Sequence, residues 1–218
     1  GYEYQLSKEQ KEVVSEIFKE WQQEQPRPCL IKGVTGSGKT QVYMELIEAV
    51  LKQGKQVIVL IPEIALTYQN VVRFYSRFGS CVSVINSRLS VGERFDQFER
   101  AKKGEISVVI GPRSALFTPF PKLGLIIIDE EHEDSYKSEK TPCYHARETA
   151  IQRGKMEGAR VVMGSASPSV ESYYRGETGE YQLLYLNERY GGKELPKVEI
   201  IDLREELKQG NRSIFSRK

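Results

Sequence analysis

The chain is poor in histidine and cysteine, with two of the first and three of the second in 218 residues. Cys29, Cys81 and Cys143 lie far apart and form no C-x-x-C pair, so neither a disulfide framework nor a zinc site is indicated. There is no excess of one charge either, since 32 Lys and Arg stand against 30 Asp and Glu. A globally basic surface is therefore excluded, and any nucleic-acid site has to be local. No apolar run approaches the roughly 18 residues of a membrane span, and Gly1 to Lys11 lacks the pattern of a secretory leader. These absences read as a cytoplasmic protein with no membrane partner. Internal repeats and low-complexity tracts are missing too. What is there, 39% hydrophobic and 28% charged residues, suits one large domain with a buried core.

Short Val/Ile/Leu runs recur at Leu30-Ile31, Val57 to Ile61, Val82 to Ile85, Ile106 to Ile110, Leu125 to Ile128 and Arg160 to Met163. Between them lie segments with helical apolar spacing: Ser7 to Gln25, Gln41 to Gln53, Ile64 to Phe78, Val91 to Lys103, Tyr144 to Glu157 and Ser169 to Arg175. The strands show little alternation, as strands buried on both sides should. The pattern predicts an α/β domain, a mostly parallel sheet with helices on both faces. Ser7 is placed to cap the first helix, with Gln10 as its capping-box partner. After Gly176 the pattern loosens toward a strand-like Val198 to Leu203 and a polar tail.

The run Gly33-Val34-Thr35-Gly36-Ser37-Gly38-Lys39-Thr40 satisfies the G-x-x-x-x-G-K-[ST] pattern of a phosphate-binding loop, set between an apolar strand and an amphipathic helix. Gly33, Gly36 and Gly38 let the backbone, with Thr35 and Ser37, wrap its N–H groups around phosphates beside a helix N-terminus. Lys39 is the group to reach the β and γ phosphates, and Thr40 the hydroxyl to ligate Mg²⁺.

A loop of this kind does not name a reaction, but Asp129-Glu130-Glu131-His132 narrows it. These residues follow the strand Leu125 to Ile128, at the strand end where open α/β sheets bind ligands. Asp129 is the candidate to hold Mg²⁺ and Glu130 the candidate to activate water for attack at the γ phosphate, which is hydrolysis. His132 is placed to couple the acids to Gly164-Ser165-Ala166-Ser167-Pro168, through Ser165 and Ser167; an ordinary strand-to-helix turn is the alternative. Residues Asp134 to Arg147 mix aromatic, cationic and turn-forming types, the combination that binds single strands by stacking and charge. Tyr136, Lys137, Tyr144 and Arg147 are its candidates, against the alternative of a surface loop with two buried tyrosines.

Together with Leu6 to Gln10, Leu60 to Thr67, Gly111 to Phe117 and Tyr144 to Arg147, these motifs resemble the first, RecA-like motor lobe of superfamily 2 DNA helicases, and in detail the bacterial primosomal replication-restart helicases. The resemblance spans most of the chain. It implies ATP with Mg²⁺ as cofactors, and Gln10 as the reader of the adenine edge, beside its role as a cap. It implies that Pro62, Glu63, Thr67, Arg113 and Ser114 lie along single-stranded DNA, and that forked DNA, replication-restart proteins and single-strand-binding proteins are partners. Asn86-Ser87, Tyr68, Ser138 and Cys143 depart from the family pattern, away from the phosphate chemistry. By the same resemblance residues 1–190 form the ATP-binding lobe and residues 191–218 lead toward a second lobe, which is missing along with accessory DNA-binding domains. A lobe by itself is expected to bind nucleotide weakly and hydrolyse it hardly at all. A different superfamily 2 translocase and a nucleotide-gated binding module without turnover are the competing readings.

Overall fold

The computed structural model describes residues 5–34, 38–130 and 145–188. Helix α1 (Lys8–Trp21) starts at a complete capping box, in which Ser7 Oγ accepts the Gln10 N–H and Gln10 Oε1 accepts the Ser7 N–H. Its Val13, Val14 and Ile17 recur at helical spacing and are buried. Seven strands follow, β1 (Cys29–Gly33), β2 (Gln56–Leu60), β3 (Val82–Val84), β4 (Val108–Gly111), β5 (Leu123–Asp129), β6 (Arg160–Ser165) and β7 (Gln182–Leu186). They form a single parallel sheet in the order β3-β4-β2-β5-β6-β1-β7. The helices between them are α2 (Lys39–Lys52), α3 (Tyr68–Phe78), α4 (Val91–Lys102), α5 (Ala146–Glu157) and α6 (Val170–Glu177).

Alternation within one strand explains why the sheet needs helices on both sides. Leu125 and Ile127 of β5 join the core formed with α1, α2 and Phe74 of α3, while Ile126 and Ile128 join the opposite core with Ala101 of α4 and Ala150 of α5. All four are fully buried, at about 1.5–3 kcal/mol of transfer free energy for each side chain.

Two expectations change. The helix expected from Ile64 breaks: Glu63–Ala65 is a single 3₁₀ turn, Leu66 leaves helical geometry, and α3 begins only after Thr67, whose Oγ1 accepts the Asn70 N–H. A strand also forms where the pattern loosens, since β7 pairs along β1 from Cys29 to Gly33. As an edge strand it is only partly buried, which leaves its Gln-Leu-Leu-Tyr-Leu sequence without the apolar run of a central strand. Val198 to Leu203 lies outside the described residues.

The parallel register brings the carboxyl ends of the strands to one edge. Leu60 lies beside Gly111 and Ile128, Asp129 beside Gly164, and Ser165 beside Lys32. Every motif that follows a strand therefore emerges on the same side of the sheet.

Candidate nucleotide site

Strand β1 ends at Gly33 and α2 begins at Lys39, and at the N-terminus of α2 free backbone N–H groups and the helix dipole favour anions. Gly38 has φ 85°, a left-handed geometry that glycine adopts without strain, and a Cβ on it would overlap the Gln10 side chain. Thr35, Gly36 and Ser37 lie outside the described residues. Lys39 is buried, and its Nζ donates to the Gly33 carbonyl at 2.6 Å and lies 3.9 Å from Glu130 Oε1. The ammonium is thus held between the first glycine of the loop and the second acid of the strand.

Asp129 is the last residue of β5, and the hydroxyl of Tyr43 donates to its Oδ1 at 2.8 Å. Glu130 follows with φ 52°, a conformation that costs a residue with a Cβ about 1–2 kcal/mol. Thr40 lies in the first turn of α2, three residues before Tyr43 and so on the same side of the helix. Through Tyr43 the first turns of α2, which carry Thr40, are tied to Asp129. A hydroxyl and a carboxylate so placed are oxygen donors of the kind that Mg²⁺ takes alongside phosphate oxygens, so these residues fit that ion.

Gln10 serves two ends of the site. Its Oε1 completes the capping box, and its Nε2 donates to Gly38 O at 3.1 Å, which ties the start of α1 to the phosphate loop. Ser165 is fully buried and its Oγ accepts the Ser167 N–H at 3.1 Å, while Ser169 caps α6. Ser167 itself is exposed. His132 lies outside the described residues, as do Tyr136, Lys137 and Tyr144.

The residues assigned to DNA divide. Pro62, Glu63 and Thr67 follow β2, and Arg113 and Ser114 follow the neighbouring β4, so both groups lie at the carboxyl edge. Glu63 accepts from the Ser87 amide at 3.0 Å and from the Ser87 hydroxyl, and these two donors hold its carboxyl below the usual range. Arg147 has a different place. Its guanidinium is turned into the protein, where it donates to Ser169 Oγ at 2.9 Å, Ser172 Oγ at 2.7 Å and Glu171 at 2.8 Å. Only 8% of the residue is exposed, so it ties α5 to α6. An Arg in a polar stretch reads as surface until its three partners on another helix are known. Tyr43 is the opposite case, a functional candidate hidden as a core aromatic. Its one signal in the sequence is position, one helical turn beyond Lys39.

A parallel sheet that feeds a glycine loop into a helix, and sets paired acids at the end of a nearby strand, defines a RecA-like P-loop nucleotide-binding domain. The chain belongs to the family described as type III restriction enzyme, res subunit, whose pattern matches residues 3–157. It is 49% identical over 211 residues to the replication restart protein PriA of Bacillus subtilis (strain 168), covering 97% of this chain and 26% of that protein. Against the protein of the same name from Synechocystis it is 49% identical over 193 residues, covering 86% of this chain and 23% of the relative. The chain therefore spans about a quarter of the curated relatives it matches. Among solved structures, RecG bound to a three-way DNA junction superposes with a TM-score of 0.62 at 22% identity, covering 95% of this chain and 27% of RecG. The Hef helicase domain of Pyrococcus furiosus superposes at 0.57 with 20% identity, covering 81% of this chain and 37% of that one. At these identities the two structures establish the fold. Among the described residues no helix is long and apolar enough to cross a membrane.

Proposed function

We propose that this chain is the ATP-binding motor lobe of a DNA helicase or translocase that acts in replication restart, hydrolysing ATP to ADP and phosphate as the whole protein moves along single-stranded DNA. The observation that carries the proposal is the convergence of Lys39, Glu130 and Asp129 at one end of the sheet, with Lys39 Nζ 3.9 Å from the Glu130 carboxylate. The name shared by the PriA relatives supports the biological setting.

In this reading Lys39 leaves the Gly33 carbonyl for the β and γ phosphate oxygens and neutralises the charge that grows there. Thr40 and Asp129 would hold Mg²⁺, which would supply further neutralisation of phosphate charge. Glu130 orients a water in line with the γ phosphorus and accepts its proton as the new P–O bond forms and the bond to ADP breaks. Gln10 retains one amide hydrogen beyond its bond to Gly38, and with Oε1 it is the group to read an adenine edge. Pro62, Glu63, Thr67, Arg113 and Ser114 face the DNA backbone, and Ser165 and Ser167 couple it to the acids. Residues 1–190 are the lobe, and residues 191–218 lead to a second lobe that completes the site.

The family match favours a second reading, a superfamily 2 translocase of the restriction type. Titration of ATP and GTP into the intact protein, followed by turnover on forked and plain duplex DNA, separates the two. We expect adenine-selective binding that falls at least tenfold in Lys39→Ala, a loss of about 1.4 kcal/mol, and turnover stimulated more by forks. Equal stimulation by plain duplex favours the restriction-type motor, and a preference for GTP overturns both.

A further inference from the structure

The hydrolytic scheme leaves one buried hydroxyl at the site without a part. Tyr43 is 2% exposed, and a buried phenol has to find an acceptor. Its acceptor is Asp129 Oδ1, at 2.8 Å. The ring is walled on the β6 side by Gly164, which lies opposite Asp129 in the parallel pair. A Cβ on residue 164 would overlap the Tyr43 oxygen and stand 2.9 Å from the ring carbon that bears it. The same Cβ would stand 3.4 Å from the Lys39 side chain. Helix α2, strand β5 and strand β6 thus meet around a single oxygen atom.

From this geometry we propose that Tyr43 is a positioning residue for the Mg²⁺-binding carboxylate, and that residue 164 is glycine so that the phenol can reach it. The proposal rests on the reading of Asp129 as the magnesium acid. A carboxylate turns readily about its terminal torsion, where the wells are broad. A donor on a ring that is itself immobilised by packing removes that freedom. Because Tyr43 shares the first turns of α2 with Thr40, the same bond also ties together the two elements that carry the metal's protein ligands. Hydrogen bonds that orient metal ligands in this way typically contribute about 10- to 100-fold to metal affinity.

Tyr43→Phe removes one oxygen and keeps the ring, so the fold is retained. In the intact protein, calorimetric titration of ADP in EDTA should give the same affinity for wild type and Tyr43→Phe, within about twofold. The affinity for Mn²⁺ in the presence of ADP, read from the electron paramagnetic resonance of free Mn²⁺, should fall about tenfold. Gly164→Ala, which displaces the phenol and leaves Asp129 in place, should shift Mn²⁺ affinity in the same direction, and the double variant should be no worse than the weaker single one. Asp129→Ala separates two kinds of failure. If it weakens Mn²⁺ binding and Tyr43→Phe does not, the role of Tyr43 is overturned. If Asp129→Ala itself binds Mn²⁺ as wild type does, the assignment of the magnesium acid falls, and this proposal with it.

Discussion

At the amino end of β1, Glu20 and Arg27 close on each other. Both carboxylate oxygens of Glu20 accept from the Arg27 guanidinium, at 2.7 and 3.0 Å, and the Arg27 amide adds a third bond at 3.0 Å. Past the carboxyl end of the same strand, Lys39 and Glu130 approach only to 3.9 Å, and Lys39 is held chiefly by a backbone carbonyl. One edge uses charge to fasten α1 to the segment that enters the sheet. The other keeps opposite charges near each other without letting them collapse into a tight pair, and it holds Glu130 in a strained backbone conformation. A close bidentate pair satisfies itself and has little left for a ligand, whereas a loose one keeps directed charge for a phosphate. Local stability is given up at the carboxyl edge for geometry, and the core between the two edges has to carry the difference.

That contrast can be attacked at three places. The largest effect belongs to the shared core: Ile127→Ala, at a fully buried position midway along β5, should lower stability by about 2–5 kcal/mol in urea unfolding and destabilise both edges together. Loss of nucleotide binding with unchanged unfolding would show the two edges to be independent units. Next is the strained residue. Glu130→Gly should raise stability by about 0.5–1 kcal/mol, because glycine tolerates a φ of 52°, while abolishing turnover in the intact protein. A loss of stability would mean that contacts of the Glu130 side chain outweigh the strain. The smallest effect belongs to the amino edge. The Arg27 guanidinium hydrogen-bonded to Glu20 holds its carboxyl below the usual glutamate value. Its contribution is present in full above that ordinary value, near pH 4.5, and is lost as the pH falls through the lower value of the folded state. Glu20→Gln should therefore be less stable than wild type at pH 7 by at most about 1 kcal/mol, with the gap closing as the pH falls below the ordinary glutamate value and through the lower one of the folded state. A gap that persists into strong acid would assign the effect to packing.

Much of this architecture was legible before any coordinates. The capping box of α1 is a short motif whose residue types already imply its geometry, and Ser7 and Gln10 stand as the capping pattern predicts. The apolar runs announced six strands because strands buried on both faces need no partner to be recognised. Strand β7 was not legible, since its half-buried sequence becomes a strand only by pairing with β1. Arg147 is a related case: its partners Ser169, Glu171 and Ser172 lie more than twenty positions away, at the start of α6.

The sequence by itself determined the chemistry and the class of fold. Glycine spacing, a lysine, a hydroxyl and two acids fix what kind of ligand can be held, and hydrophobic periodicity fixes a parallel sheet between helices. Only the tertiary structure decided which of those groups are held together and by what. Tyr43 reaches Asp129 across 86 positions of chain, Gln10 reaches Gly38 across 28, and Gly164 matters because of the ring that lies against it. Residue types and short-range order are properties of neighbours in the chain. The orientation of a carboxylate depends on packing between elements that meet only when the sheet has closed.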